Sequence, residues 1–263
     1  MDKEITSKHN ERLKELRKLH ERKHRDRSGL FVAEGEDLLA EALRFGSEPE
    51  AVFYDRDRIG EEEPPLGALQ AAVERVPARG AVLESASLLG SGARVISVFK
   101  QRWSAVDALA SADTALYLHD VADPGNVGAV VRSALALAKA VVVLSPGTAD
   151  PFGPKAVRAS MGALFGQPLL RASFDELHAA LGAGWRTMAL VPRAGRALHE
   201  LERGPRTLYC LGSERLGLPP EIGERCDEVA HVPLRDGGAE SLNVAMIATL
   251  CLYENGLHTL PDP

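Results

Sequence analysis

Cysteine is scarce in this sequence. Cys210, Cys226 and Cys251 are an odd trio with no C-x-x-C pair, which excludes a disulfide framework and a zinc site of the ribbon kind. Cys210 and Cys251 lie in apolar runs, where cysteine acts as a small hydrophobe, and Cys226 lacks the partner histidine that thiol catalysis needs. Long hydrophobic runs are missing too, so none reaches the roughly 18–20 residues of a membrane span. The opening stretch, "MDKEITSKHNERLK", is charged where a secretory leader would be apolar. A cytoplasmic protein with no membrane partner and no metal is expected. Internal repeats and low-complexity segments are also absent.

What is present is ordinary in amount and uneven in placement. The 263 residues, 45% hydrophobic and 26% charged, suit two modest domains. The formal net charge is −6, yet Lys8 to Arg27 holds nine Lys/Arg against four acids. A basic segment on an acidic body suits a polyanion docking at one end, and equally a solvated helix with surplus cations. In that segment Leu13, Leu16 and Leu19 recur at threefold spacing, which predicts one amphipathic helix. Strands are expected at Leu30 to Ala33, in "AVFYD" and in "RVISVFK". A helix through Leu38, Leu39, Ala42 and Leu43 stops at Gly46, and Gly60 to Gly67 reads as a loop or a helix lead-in. This first domain, residues 1–103, reads as a small α/β sandwich. A second, residues 113–258, restarts the alternation with strands in "ALYLHDV", "AVVVLS", "TMALV", "TLYCLG" and "VAHVPL". The apolar run "AVVVLS" suggests a parallel sheet buried on both faces. Helices are expected from Asn126 to Ala138 and from about Ser241 to Glu254.

"DPGNVGAVVRS", from Asp123, poses the functional question. A dinucleotide fingerprint needs G-x-G-x-x-G, and a phosphate loop needs Lys-Ser/Thr after its last glycine; this stretch has neither. Pro124 and Gly125 make a turn, Asn126 caps or lines a helix start, and Arg132 falls one helical turn beyond Gly128. Two later segments have a similar design. "LGSERLGL" ends a strand in Gly212, Ser213, Glu214 and Gly217, and "VPLRDGGAESLNVA" runs from a strand into Ser241, Leu242 and Asn243. The order N-x-G-x-x-x-R, L-G-x-E-x-x-G-L, V-P-L…S-L-N-V resembles the three motifs of the SpoU (TrmH) branch of the SPOUT RNA methyltransferases. "FGPKAVRASMGALFGQPL" between the first two also resembles that family, and "KHNERLKELRKL…GLFVAEGEDLLAEAL" resembles the substrate-binding domain often fused ahead of it.

The resemblance implies a trefoil-knotted parallel-sheet domain, preceded by a small α/β substrate-binding domain akin to a ribosomal-protein fold. Pattern rules alone give an open doubly wound sheet. It further implies a homodimer that moves a methyl group from S-adenosylmethionine to a ribose 2′-hydroxyl of structured RNA, ribosomal RNA ahead of transfer RNA. A catalytically silent RNA-binding protein of the same fold and a nicotinamide enzyme are the rivals; the missing fingerprint weighs against the latter. The cofactor is a cation without phosphates, so its site wants an apolar slot and close backbone rather than a nest of N–H groups. Gly212, Gly217, Leu218, Val232, Leu234 and Leu242 are the expected contacts. Arg132 is expected at the 2′-oxygen or the adjacent phosphate, stabilising alkoxide charge rather than acting as a base, since guanidinium keeps its proton. Asn126 is expected to hold substrate or Arg132, and Glu214 to orient Arg132 or the motif loop. Ser241 serves as helix cap or site residue, and Asn243, placed past the cap, reaches into the site. Lys8 to Arg27 would grip RNA phosphates.

Overall fold

The computed structural model describes residues 4–88, 92–202 and 204–256; residues 257 and 258 of the expected second domain lie outside them. The chain divides into two compact units: residues up to Gln101 together with Asp150–Gly166, and Arg102–Ala149 with the residues from Gln167 on. Residues 150–166 therefore group with the first unit, although they fall inside the stretch 113–258.

The first unit runs α1 (Glu11–Lys18), α2 (Arg22–Ser28), β1 (Leu30–Glu34), α3 (Glu36–Arg44), β2 (Ala51–Asp55), β3 (Glu74–Ala78), α4 (Gly80–Glu84) and β4 (Val95–Lys100). Its sheet has the order β1-β4-β2-β3. Three of these strands and α3 are where the hydrophobic pattern puts them, and Gly46, at φ +67°, follows the end of α3. Strand β3 escaped sequence reading because Pro77 interrupts it. It is the last strand of its sheet, paired with β2 and on its other side with the single residue Ile5, a place where a proline is tolerated.

The expected single basic helix is two. Leu13, Leu16 and Leu19 are buried as the threefold spacing predicts, but the chain breaks between α1 and α2. Nη1 of Arg25 donates to the carbonyls of Leu19 and His20, two carbonyls at that break. The rest of the Arg25 guanidinium meets the Asp150 carboxylate at 2.7–2.8 Å. Both side chains are buried, so the pair and its carbonyl partners satisfy each other away from water. Arg25 thus leaves the phosphate-facing set, and Arg12, Lys14, Lys18, Arg22 and Lys23 each face a carboxylate. Residues 150–166 also pack through aromatic rings: Phe152 and Phe165 lie 5.1 and 6.0 Å from Phe31.

The second unit runs β5 (Thr114–Leu118), α5 (Pro124–Leu137), β6 (Ala140–Leu144), then, beyond α6 (Pro154–Ser160) of the first unit, β7 (Leu169–Arg171), α7 (Phe174–Ala180), β8 (Trp185–Leu190), β9 (Arg196–Ala197), β10 (Arg206–Leu211), α8 (Pro220–Gly223), β11 (Glu228–His231) and α9 (Val244–Gly256). The sheet order is β7-β6-β5-β10-β8-β11-β9, and every pairing in it is parallel. Strands β5 and β6 are buried at every residue, as a parallel sheet covered on both faces requires. Strand β10 lies between β5 and β8, two strands made earlier in the chain. Strands β7 and β9 were not foreseen; at three and two residues they are too short to show periodicity. The last helix begins at Val244 rather than Ser241, so Ser241 and Leu242 are free of helical geometry.

Candidate active site

Strand β10 ends at Leu211 beside β8, and β11 flanks β8 on its other side. Their C-terminal ends open on a cavity of about 630 Å³, the place where parallel sheets hold ligands. Gly212, Gly217 and Leu218 line it from the loop after β10, Val232 and Leu234 from the chain after β11, and Leu242 from the approach to α9. All six expected cofactor contacts therefore meet in one cavity. Gly212 is required by packing: a Cβ there would sit 2.0 Å from the carbonyl carbon of Gly217 and 2.1 Å from the Leu218 nitrogen. Gly217 adopts φ +71°, a conformation suited to glycine.

Glu214, Ser241 and Asn243 line the same cavity, and Asn126 reaches it through them. Helix α5 is capped by Asp123, whose side chain accepts from the Gly125 N–H, so Asn126 is released from capping. Asn243 is not released. Its Oδ1 accepts from the Ala245 N–H at 2.8 Å, making it the cap of α9 and correcting the expectation that it lies past the cap. That bond fixes the whole amide chain. With Oδ1 held by the helix, Asn243 presents Nδ2, which donates to Asn126 Oδ1 at 2.8 Å. Asn126 then presents its own Nδ2 to Glu214 at 2.7 Å. Glu214 also accepts from the N–H groups of Ala122 and Asp123. Burial pushes the Glu214 carboxyl up, but these hydrogen bonds outweigh it and leave the group below its usual value. Glu214 is thus an ionised clamp joining three segments, with its lone pairs committed, and is unsuited to act as a base.

Glu214 is hydrogen-bonded to Asn126 and to the N–H groups of Ala122 and Asp123; it makes no ion pair with Arg132 among the described residues. Arg132 is exposed on α5, makes no ion pair or hydrogen bond among the described residues, and does not line the cavity. Its neighbour Ser133 bonds Thr249 of α9 at 2.7 Å. On that helix Met246, Leu250 and Tyr253, spaced four and three apart, are exposed by 60, 37 and 48%.

Sequence reading missed the wall that follows β8. Val191, Pro192 and Arg193 line the cavity, as does His231. The signal was "ALVPRAG", a strand running into a turn at Pro192 and Arg193 at its C-terminal end. Among the described residues, no group of three or more His, Cys, Asp or Glu could hold a metal ion, and no helix is long and apolar enough to cross a membrane.

The walls suit S-adenosylmethionine. The volume is in the range of small-molecule sites, Leu218, Val232, Leu234 and Leu242 offer an apolar slot, and Glu214 sets a negative charge at its edge.

Comparison with known proteins agrees along the whole chain. Residues 113–253 match the model of the SpoU rRNA Methylase family, and residues 10–97 that of an MRM3-like substrate binding domain. The sequence is 32% identical over 261 residues to the 23S rRNA (guanosine(2553)-2′-O)-methyltransferase RlmP of Bacillus subtilis (strain 168), covering 95% of this chain and 98% of that protein. The AdoMet-bound rRNA methyltransferase from Sinorhizobium meliloti is similar at 29% identity and a TM-score of 0.87, over 98% of this chain and 99% of that one. The crystal structure of an RNA 2′-O ribose methyltransferase matches at 31% identity and a TM-score of 0.77, over 97% and 98% of the two chains.

Proposed function

The chain belongs to the SpoU rRNA methylase family, and from that premise we propose that it methylates a ribose 2′-hydroxyl of ribosomal RNA using S-adenosylmethionine. The observation that carries this is the convergence of three sequence motifs, through Asn126, Glu214 and Asn243, on the edge of one cavity. Gly212, Leu218, Val232, Leu234 and Leu242 would hold the cofactor, which supplies an activated methyl group when bound. Asn126 and Asn243 each keep one amide N–H beyond the network, and these suit a ribose hydroxyl at the cavity edge. With the cofactor bound, Asn126 and Asn243 would hold the hydroxyl so that its 2′-oxygen takes the methyl group as the sulfur leaves, and the hydroxyl proton would pass to phosphate or water. Relatives named as acting on 23S ribosomal RNA favour that substrate, and a ribosomal substrate supports a cytoplasmic location.

Two further parts of the reading are supported by the fold. The late insertion of β10 between β5 and β8, followed by the return of α9 onto α5, supports a trefoil-knotted domain. The apolar face of Met246, Leu250 and Tyr253 supports a homodimer. Arg132 is exposed on α5 beside Ser133, which bonds Thr249 of α9; in such a dimer its guanidinium would reach a cavity and stabilise the developing alkoxide. The first unit would grip the RNA remote from the methylated nucleotide. The test is transfer of radiolabelled methyl from S-adenosylmethionine to unmodified 23S ribosomal RNA, with the product nucleoside identified. Ribose label from the wild type, and its loss in Arg132→Lys, is expected. Binding of RNA without transfer would assign a silent RNA-binding protein instead, and label on a base would reject ribose chemistry.

A further inference from the structure

The loop after β10 does more than wall the cavity. Ser213 and Gly217 pair through two backbone hydrogen bonds of 3.1 and 3.0 Å, and the Leu216 N–H bonds Ser213 Oγ at 3.2 Å. Glu214 in the same turn is anchored to the N–H groups ahead of α5. The turn is therefore tied internally and at its flank, and its tip is Arg215 and Leu216. Leu216 is 92% exposed, more than any other exposed large hydrophobic side chain described. A leucine held out on a rigid tip gains nothing in the isolated chain; a polar residue would serve the turn equally well.

A second rigid turn opens on the same cavity. Arg193 has φ +57°, uncommon for a residue with a Cβ. Neighbouring contacts fix that turn: the Val191 N–H bonds the Ala230 carbonyl at 2.9 Å, and a Cβ on Gly195 would lie 1.9 Å from the Val229 oxygen. Arg193 and Arg215 are both exposed and make no ion pair among the described residues. In a chain of net charge −6, whose N-terminal cations mostly face carboxylates, two unpaired guanidinium groups at one mouth point to an anionic partner.

We propose that Arg193, Arg215 and Leu216 form an RNA-gripping rim around the cofactor cavity. The two guanidinium groups take phosphates flanking the target nucleotide, and Leu216 wedges against the face of an adjoining base, holding the target ribose over the cavity. The inference rests on the methyltransferase reading and adds to it the residues that seat the substrate. They are substrate-positioning residues.

The experiment measures RNA affinity by titration of unmodified 23S ribosomal RNA made by transcription, alongside cofactor affinity and molar mass in solution. Leu216 also lines the cavity, so Leu216→Ser is expected to weaken RNA binding about 10-fold, the order that burying a leucine side chain supports, with a smaller change in cofactor affinity and an unchanged molar mass. Arg193→Ala and Arg215→Ala are each expected to lower the slope of log affinity against log salt by about 1. Unchanged RNA affinity and slope in all three variants overturns the proposal. So does a fall in molar mass for Leu216→Ser, which would assign the tip to an interface between copies, or an equal fall in cofactor affinity, which would make it cavity wall alone. Because binding is read apart from transfer, a wild type that binds RNA without methylating it defeats the proposed function and leaves this test standing.

Discussion

Replacing Glu214 with glutamine removes one charge and one acceptor from a network whose polarity is set at the far end. Asn243 Oδ1 is committed to the α9 N–H, so Asn126 must present Nδ2. A glutamine that turned its own NH₂ toward Asn126 would set donor against donor, and Asn126 could reverse only by breaking its bond from Asn243. The less costly choice keeps the glutamine oxygen on Asn126 and Asp123 and leaves the Ala122 N–H, now 3.1 Å from Glu214, facing an NH₂ group. A hydrogen bond to a charged group contributes about 1.5–3 kcal/mol net, and the partly exposed position admits water, so about 1–1.5 kcal/mol is the expected loss. That is close to tenfold in cofactor affinity, measurable by titration calorimetry. The pH dependence has a definite sign. The carboxyl is held below its ordinary 4.5, so its contribution is full above that value and is lost as pH falls through the lowered one. Wild-type affinity should therefore lack a Glu214 transition between pH 6 and 9 and show an acid limb that Glu214→Gln lacks. Unchanged affinity in the variant would refute the clamp, and a near-neutral titration of activity abolished by the variant would restore Glu214 as a base.

Two other perturbations test the scaffold. Gly212→Ala forces a Cβ into the backbone of Gly217 and Leu218; overpacking of about 1–3 kcal/mol should cost about 10- to 100-fold in cofactor affinity with the circular dichroism unchanged, and near-normal binding would mean that the loop opens freely. Asp150→Ala leaves the Arg25 guanidinium buried without its counter-ion, and urea denaturation should show a loss of about 3–5 kcal/mol from the unit that holds both; a loss below about 1 kcal/mol would mean that water reaches the pair.

Sequence periodicity was informative wherever an element is long enough to repeat a face. Strands β5, β6, β8 and β10 follow from their apolar runs, and the six cavity-lining positions from motifs set at strand ends. Legibility fails where one residue serves a distant partner. Arg25 reads as one more cation in a basic run, because Asp150 lies 125 positions away. Asn243 reads as a site residue beyond a Ser241 cap, since sequence alone offers two polar residues for one helix start. The choice is made by Asn126, which needs a donor from that position. Arg132 shows the same limit: its motif spacing fixes its place on α5, but which surface that place faces depends on how α5 meets α9.

The proposed chemistry makes opposed electrostatic demands on a few cubic nanometres, and the arrangement of charges answers both. A cationic methyl donor is favoured by a fixed negative charge close by, whereas a polyanionic substrate is repelled by it. Glu214 meets the first demand while its charge is spread over three N–H donors, which shortens its reach toward solvent. Arg193 and Arg215 meet the second at the mouth of the same cavity, farther out, where an incoming phosphate meets them first. Both layers depend on the loop after β10: Glu214 is tied inward and Arg215, the next residue, is held outward by the Ser213–Gly217 pairing. An adjacent acid and base in sequence thus become an inner and an outer charge. A variant exchanging the two, Glu214→Arg with Arg215→Glu, should lose cofactor and RNA affinity together, whereas Arg193→Ala or Arg215→Ala should lower RNA affinity more than cofactor affinity.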